Sequence, residues 1–189
     1  MADAIVKSTN IGVEQLVYAT LIDEALNTYG TVSPVSPLIN VKITPKVNTD
    51  NLYADNQAIE TVSVIGEIDV EVEVSCLPLE VQAGFFGHTL DAVNGVLTHS
   101  VDDVVPNVAL GFKIKKANNH YRYVWLLKGK FEEMPDEVAT QEDKVKFSTG
   151  KIKGTFVSRS DGNYKYSMDE DSATTPLTTF LTTVYVPTI

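Results

Sequence analysis

The stretch Thr61-Val62-Ser63-Val64-Ile65-Gly66-Glu67-Ile68-Asp69-Val70-Glu71-Val72-Glu73-Val74 decides the fold class. Val62, Val64, Ile68, Val70, Val72 and Val74 fall on one parity. Thr61, Ser63, Glu67, Asp69, Glu71 and Glu73 fall on the other. Successive side chains of a strand point to opposite faces, so this is a strand with one buried face and one acidic face. Ile65 and Gly66 break the alternation, which predicts a bulge there.

Further strands follow on both sides. Val13 to Ile22 is apolar on both parities, as an interior strand is, and Asn40 to Lys46 alternates around Val41 and Ile43. Asn107 to Lys116 and His120 to Phe131 flank the turn-forming pair Asn118-Asn119, which predicts a hairpin. In its second arm Tyr121, Tyr123, Trp125 and Leu127 share one face, while Val124 and Leu126 lie on the other, so the arm is expected to be central. Lys144 to Arg159 and Tyr164 to Met168 flank Asp161-Gly162, a second hairpin signal. Asn94-Gly95 marks a third turn, between Thr89-Leu90 and Val96-Leu97.

One helix is expected after Pro78, with Glu80 in its first turn and Gly87 just past its end. Leu79, Ala83 and Phe86 form its apolar stripe, with Phe85 beside it. A second, weaker helix is expected to start at Pro176, with Leu177, Phe180, Leu181 and Val184 in helical spacing, although its many threonines weaken it. Thr44 to Ala58 and Glu132 to Asp143 are polar excursions of a length that usually carries function. The chain of 189 residues is of single-domain size, and 43% hydrophobic residues suffice for a core.

Chemistry is harder to find. Cys76 is the lone cysteine, so no internal disulfide forms; it is expected to be buried and inert. His88, His99 and His120 have no second His or Cys at metal-ligand spacing and are expected at loops or helix ends, without a cofactor or metal. No nucleophile elbow, phosphate loop or dinucleotide fingerprint occurs. Asp169-Glu170-Asp171 lacks calcium-loop spacing and is expected to be a solvated acidic loop. The N-terminus has no basic region leading into an apolar one, and no apolar run reaches the roughly 20 residues of a membrane span. A cytosolic chain without signal peptide or membrane insertion is therefore expected. The net charge of −10 argues against a protein that grips phosphate backbones.

Several phrases, taken in order, resemble the major tail proteins, or tail-tube proteins, of long-tailed non-contractile bacteriophages, especially those of Gram-positive hosts. They run from Ile11-Gly12 through Tyr18-Ala19-Thr20 and Tyr29-Gly30-Thr31 to Asn51-Leu52-Tyr53-Ala54-Asp55. They continue with Ile68-Asp69-Val70-Glu71-Val72 leading into Leu77-Pro78-Leu79-Glu80-Val81-Gln82, and with Val108-Ala109-Leu110-Gly111-Phe112. Tyr121-Arg122-Tyr123-Val124-Trp125, Lys128-Gly129-Lys130-Phe131 and Gly154-Thr155-Phe156-Val157 complete the set, which spans about Ile11 to Asp171.

The resemblance implies a mainly β fold: a tail-tube-type β-sandwich or barrel with one flanking helix and long loops or arms. Six copies would close into rings, and rings would stack into a hollow tube that delivers DNA without binding it specifically. The implied location is the virion tail, assembled in the host cytoplasm, with the tape-measure and tail-end proteins as further partners. On this reading residues 1–10 and 176–189 are terminal arms of a single 1–189 domain. Residues 44–58 are a stacking loop whose Asn51, Leu52 and Tyr53 contact the next ring, and Glu67, Asp69, Glu71 and Glu73 line the lumen. The rival classes are a carbohydrate- or receptor-binding β-sandwich module, which ligand would stabilise, and a glycosidase-like enzyme, which needs two facing carboxylates in a cleft.

Overall fold

A computed structural model describes residues 8–54, 57–135, 149–173 and 179–187. The fold is mainly β, with one helix. The strands are β1 Asn10–Asp23, β2 Thr28–Tyr29, β3 Ser33–Pro34, β4 Leu38–Ala54 and β5 Gln57–Val74. Helix α1, Leu79–Phe86, comes next, followed by β6 Thr89–Asp91, β7 Val96–Thr98, β8 Val108–Lys116, β9 Tyr121–Phe131, β10 Gly150–Phe156 and β11 Lys165–Asp169. Nine strands form one antiparallel sheet in the order β2-β1-β8-β9-β10-β5-β4, with β3 beside β1 and β11 beside β9; β6 and β7 form a separate hairpin.

The alternation of β5 is realised where it has neighbours on both sides. Ile68, Val70, Val72 and Val74 are buried, and these are the residues opposite β10, whose pairing ends at Phe156↔Ile68. The bulge forms at Gly66–Glu67, where the register with β4 shifts between Pro45↔Ile68 and Val47↔Ile65. Beyond it β4 and β5 run on alone as a two-stranded ribbon, so Val62 and Val64, expected on the buried face, are exposed. The same ribbon corrects the reading of Thr44 to Ala58 as a loop: its described residues lie in paired strand, with register to Ala54↔Gln57. Its polar composition signalled the absence of a core beneath it, not the absence of regular structure.

The Asn118-Asn119 and Asn94-Gly95 hairpins form as expected, with Asn119 at φ 63° and Gly95 at φ 67°. The Asp161-Gly162 turn also forms, closed by Gly162 N–H to the Arg159 carbonyl, but its arms do not pair with each other. Val157 N–H donates to the Lys128 carbonyl, and Leu127 N–H donates to the Tyr164 carbonyl. The chain thus leaves β9 along β10 and returns to it along β11, at a different stretch of the same edge.

Two apolar clusters occupy the two faces of the sheet. One gathers Leu16, the β5 valines, Val108, Leu110, Phe112, Val124, Leu126, Phe131, Ile152 and Phe156 under Val81, Phe85 and Phe86 of α1. The helix therefore buries Val81 and Phe85, one turn apart, while Leu79 of the expected stripe is exposed. Gly87 at φ 78° caps it through N–H to the Ala83 carbonyl. The second cluster joins Val17, Ala19, Ala109, Trp125 and Leu127 to Phe180, Leu181 and Val184. Residues 179–187 hold turns and no helix, yet they cover this face, and Trp125 Nε1 donates to the Phe180 carbonyl at 2.6 Å. The expected C-terminal arm thus packs, over its described part, on its own sheet. The expected N-terminal arm lies outside the described residues up to Lys7, as do residues 136–143 of the second excursion and 144–148 of the expected strand Lys144 to Arg159.

Close packing sets a sensitive test. A Cβ placed on Gly129 would lie 2.3 Å from the Phe156 ring, in the middle of the first cluster. Gly129→Ala is expected to destabilise the fold by about 1–3 kcal/mol, read from the urea denaturation midpoint.

Candidate functional site

The residues singled out for contact between subunits lie on the ribbon. Asn48↔Val64, Asp50↔Val62 and Leu52↔Glu60 are opposite pairs, so Leu52, Val62 and Val64 share one face. These three are 61%, 53% and 59% exposed. Val47 and Ile65, also exposed, form a pair on the other face. Asn51 is engaged within the ribbon: its side-chain carbonyl accepts from the Thr61 hydroxyl at 2.7 Å. Tyr53 pairs with Ala58 through the backbone. A two-stranded ribbon without a packed face is marginal in water, and clustered exposed apolar residues mark contact surfaces.

The proposed lumen residues stand on the outer face of β5, but not as an uncompensated acidic strip. Asp69 and Glu67 each meet Lys46, at 2.9 and 3.3 Å, and Glu71 meets Lys42 at 3.9 Å. On the other side, the register sets Lys153 opposite Glu71 and Lys151 opposite Glu73. Thr155 stands between Asp69 and Lys130, and the Thr149 hydroxyl donates to Glu73 at 2.8 Å. Four carboxylates therefore share this face with five lysines: Lys42, Lys46, Lys130, Lys151 and Lys153. Such exposed pairs contribute little to stability, but they cancel the field of the stripe.

Asp169-Glu170-Asp171 is not a solvated loop. Lys116, 3% exposed, donates to Asp169 and, at 2.6 Å, to Asp171. Arg122 donates twice to Asp169, at 2.7 and 3.0 Å, and the Tyr123 hydroxyl donates to Glu170 at 2.9 Å. Asn118 and His120, from the β8–β9 turn, both bind Asp171. The Lys116 ammonium, with Asn118 and His120, holds the Asp171 carboxyl down at about 2. Burial pushes Asp169 up, but hydrogen bonds from Lys116 and Arg122 outweigh it and leave that carboxyl below its usual range. Burial and the Glu170 carboxylate push the Tyr123 phenol up to about 12. This clasp ties β11 to the β8–β9 hairpin, and its groups are occupied by one another. A similar clasp surrounds Arg159, 2% exposed, which donates to Asp161 and to the hydroxyls of Tyr29 and Tyr166.

The histidines divide. His120 belongs to the clasp. His88, at the end of α1, and His99 meet with ring centroids 4.1 Å apart. His88 Nδ1 lies 2.7 Å from Asp103 and Nε2 lies 3.2 Å from Glu133, while His99 Nδ1 lies 3.4 Å from Glu133. The expectation that no histidine has a ligand neighbour is thus corrected. The signal was present: Thr89↔Thr98 in the β6–β7 register, continued one step outward, sets His88 opposite His99. Cys76, expected to be buried, is exposed and shares a hydrogen bond with the Ser36 hydroxyl at 3.3 Å.

Among the described residues no helix is long and apolar enough to cross a membrane. No family model and no curated protein matches the chain.

The clasp makes stability depend on acid in a defined way. Carboxyls held below their unfolded value, about 3.9, contribute fully above that pH and lose the contribution as pH falls through the folded value. Asp171→Asn should therefore be less stable than the parent at pH 6. The gap should close as pH falls from about 4 to about 2, in urea titrations at each pH. A gap that does not change with pH would contradict the assignment.

Proposed function

We propose that the chain is a structural subunit of a phage tail tube: six copies close into a ring, and rings stack into a hollow conduit through which DNA passes. The observation that carries this reading is the ribbon, residues 47–54 paired with 57–65, which projects past the last strand pairing of β10 with Leu52, Val62 and Val64 uncovered on one face. A second copy of the chain is the occupant it fits. The ribbon is made by β4, the terminal strand of the sheet, whose outer edge pairs with no strand among the described residues. Open edges of this length must be covered, and head-to-tail contacts between identical subunits close into rings or propagate as filaments. Lys42, Pro45 and Lys46 on β4 discourage indiscriminate pairing and leave a specific neighbour to complete it.

Conduction of DNA requires a wall to which phosphates do not adhere, and a net charge of −10 supplies the sign. Because lysines balance Glu67, Asp69, Glu71 and Glu73, the excess acid resides elsewhere on the chain, and the repulsion is assigned to those other surfaces.

Changing Leu52, Val62 and Val64 together to Lys should leave the circular dichroism spectrum intact. The concentration at which half the protein assembles should rise at least about tenfold, since each buried apolar side chain contributes about 1.5 kcal/mol or more. Sedimentation velocity over a concentration series reads this directly. Assembly of the folded triple variant at parental concentrations would rule out the ribbon as the contact.

A further inference from the structure

Four polar side chains from separate stretches of chain converge below the end of α1. His88 follows the helix cap, and His99 follows β7. Asp103 lies in the loop before β8, and Glu133 lies just past the end of β9. We propose that His88, His99 and Glu133 bind a divalent transition-metal ion of the zinc class, with Asp103 orienting His88 from behind and water completing the coordination. The inference stands apart from tube assembly and rests on different residues.

The spacing fits. The ligand atoms of the three residues all lie within 4.8 Å of one another. The two separations that involve the Glu133 carboxylate, 3.2 Å from His88 Nε2 and 3.4 Å from His99 Nδ1, bracket a simple geometric value. Tetrahedral ligation at roughly 2.0–2.1 Å places neighbouring donor atoms about 3.3 Å apart. Two imidazoles and one carboxylate are a donor set that suits zinc and its neighbours in the transition series, and three protein ligands leave a position for water.

The contacts also place positive charge, a proton or a metal ion, between the imidazoles and the carboxylates. Asp103 accepts backbone N–H from Ser100 at 2.8 Å, which fixes its carboxylate, and its Oδ2 lies 2.7 Å from His88 Nδ1. With Nδ1 turned to Asp103, Nε2 is the ring nitrogen turned toward Glu133. Nitrogen and carboxylate lone pairs 3.2 Å apart repel unless a positive centre lies between them. His99 aims a second imidazole nitrogen at the same carboxylate. A divalent ion answers both contacts and neutralises Asp103 and Glu133 together. A carboxylate behind a histidine is also the outer partner that metal-bound imidazoles usually have. The side chain of His88 is 5% exposed and those of His99 and Glu133 are 54% and 59% exposed, so the site has a fixed floor and an open mouth. Metal bound there would fasten the β6–β7 hairpin to the ends of α1 and β9.

The test uses the untagged full-length protein after chelator treatment. Titration with Co²⁺ should give a visible d–d absorption that saturates at one ion per chain and is abolished by Zn²⁺. Zn²⁺ should raise the melting temperature. His99→Gln and Glu133→Gln alter the exposed members, and each should weaken Co²⁺ binding at least about tenfold with an unchanged circular dichroism spectrum; Asp103→Asn should weaken it by about tenfold. Zn²⁺ should not raise the melting temperature of the first two variants. If the parent shows neither absorption nor a thermal shift, the proposal is overturned and the cluster is a polar network held by a proton. If the folded His99→Gln and Glu133→Gln variants bind as tightly as the parent, the ion sits elsewhere and the proposal is equally overturned.

Discussion

A strand without a solvent face governs this structure. Val124 and Leu126 of β9 enter one apolar cluster, and Trp125 and Leu127 enter the other, all of them at most 4% exposed. Its edges are as fully used: β8 pairs along one, while β10 and β11 divide the other. A central strand that is apolar on both sides obliges the chain to provide two covers. Helix α1 supplies the first and residues 179–187 the second, the latter fastened by the indole hydrogen bond from Trp125. Among the described residues the β10-β5-β4 half of the sheet has no second cover, and there the outer face carries charge.

Charge and apolar surface are then distributed by what each can contribute. The two buried cations among the described residues, Lys116 and Arg159, are surrounded by carboxylates and hydroxyls, because an unpartnered charge at such a site costs several kcal/mol. Both clasps join β11 or its preceding turn to distant chain, so they fix how the late strands return to β9. The exposed pairs on β5 act differently. Each contributes little to stability, and their alternation makes the face nearly neutral. Such a face gives a neighbouring subunit no strong attraction and no strong repulsion. On the proposed tube reading, the free energy for association comes from burying apolar groups, and the ribbon is a regular element on which several of them cluster.

Much of this fold was legible in the sequence, and the failures have physical causes. Strict alternation at Ile68–Val74, two-sided burial on Tyr121–Phe131 and turn pairs such as Asn94-Gly95 report local backbone geometry, which composition records directly. The bulge at Gly66 was legible for the same reason. The ribbon was missed as a strand because cross-strand hydrogen bonds hold its backbone while its side chains face water. Polarity at Asn48, Asp50 and Asn51 therefore imitated a loop. The Asp161-Gly162 turn was read correctly, but the partners of its arms were set by β9, a choice that depends on tertiary packing. The candidate sites were less legible still. Lysine stripes at Lys113 and Lys115, Lys128 and Lys130, and Lys151 and Lys153 were legible as possible partners of Glu67 to Glu73, but only the register selects Lys130, Lys151 and Lys153 and adds Lys42 and Lys46, and the meeting of His88 and His99 with Glu133 spans three elements.

The central claim is that copies of this chain build a hollow tube by covering one another's ribbons. Cryo-electron microscopy of the purified protein, concentrated until it assembles, tests it most directly. The account predicts stacked rings with sixfold symmetry around an open bore, and Leu52, Val62 and Val64 of each copy buried against an adjacent one. A protein that stays monomeric at every concentration, or an assembly in which those three side chains remain in solvent, would contradict it.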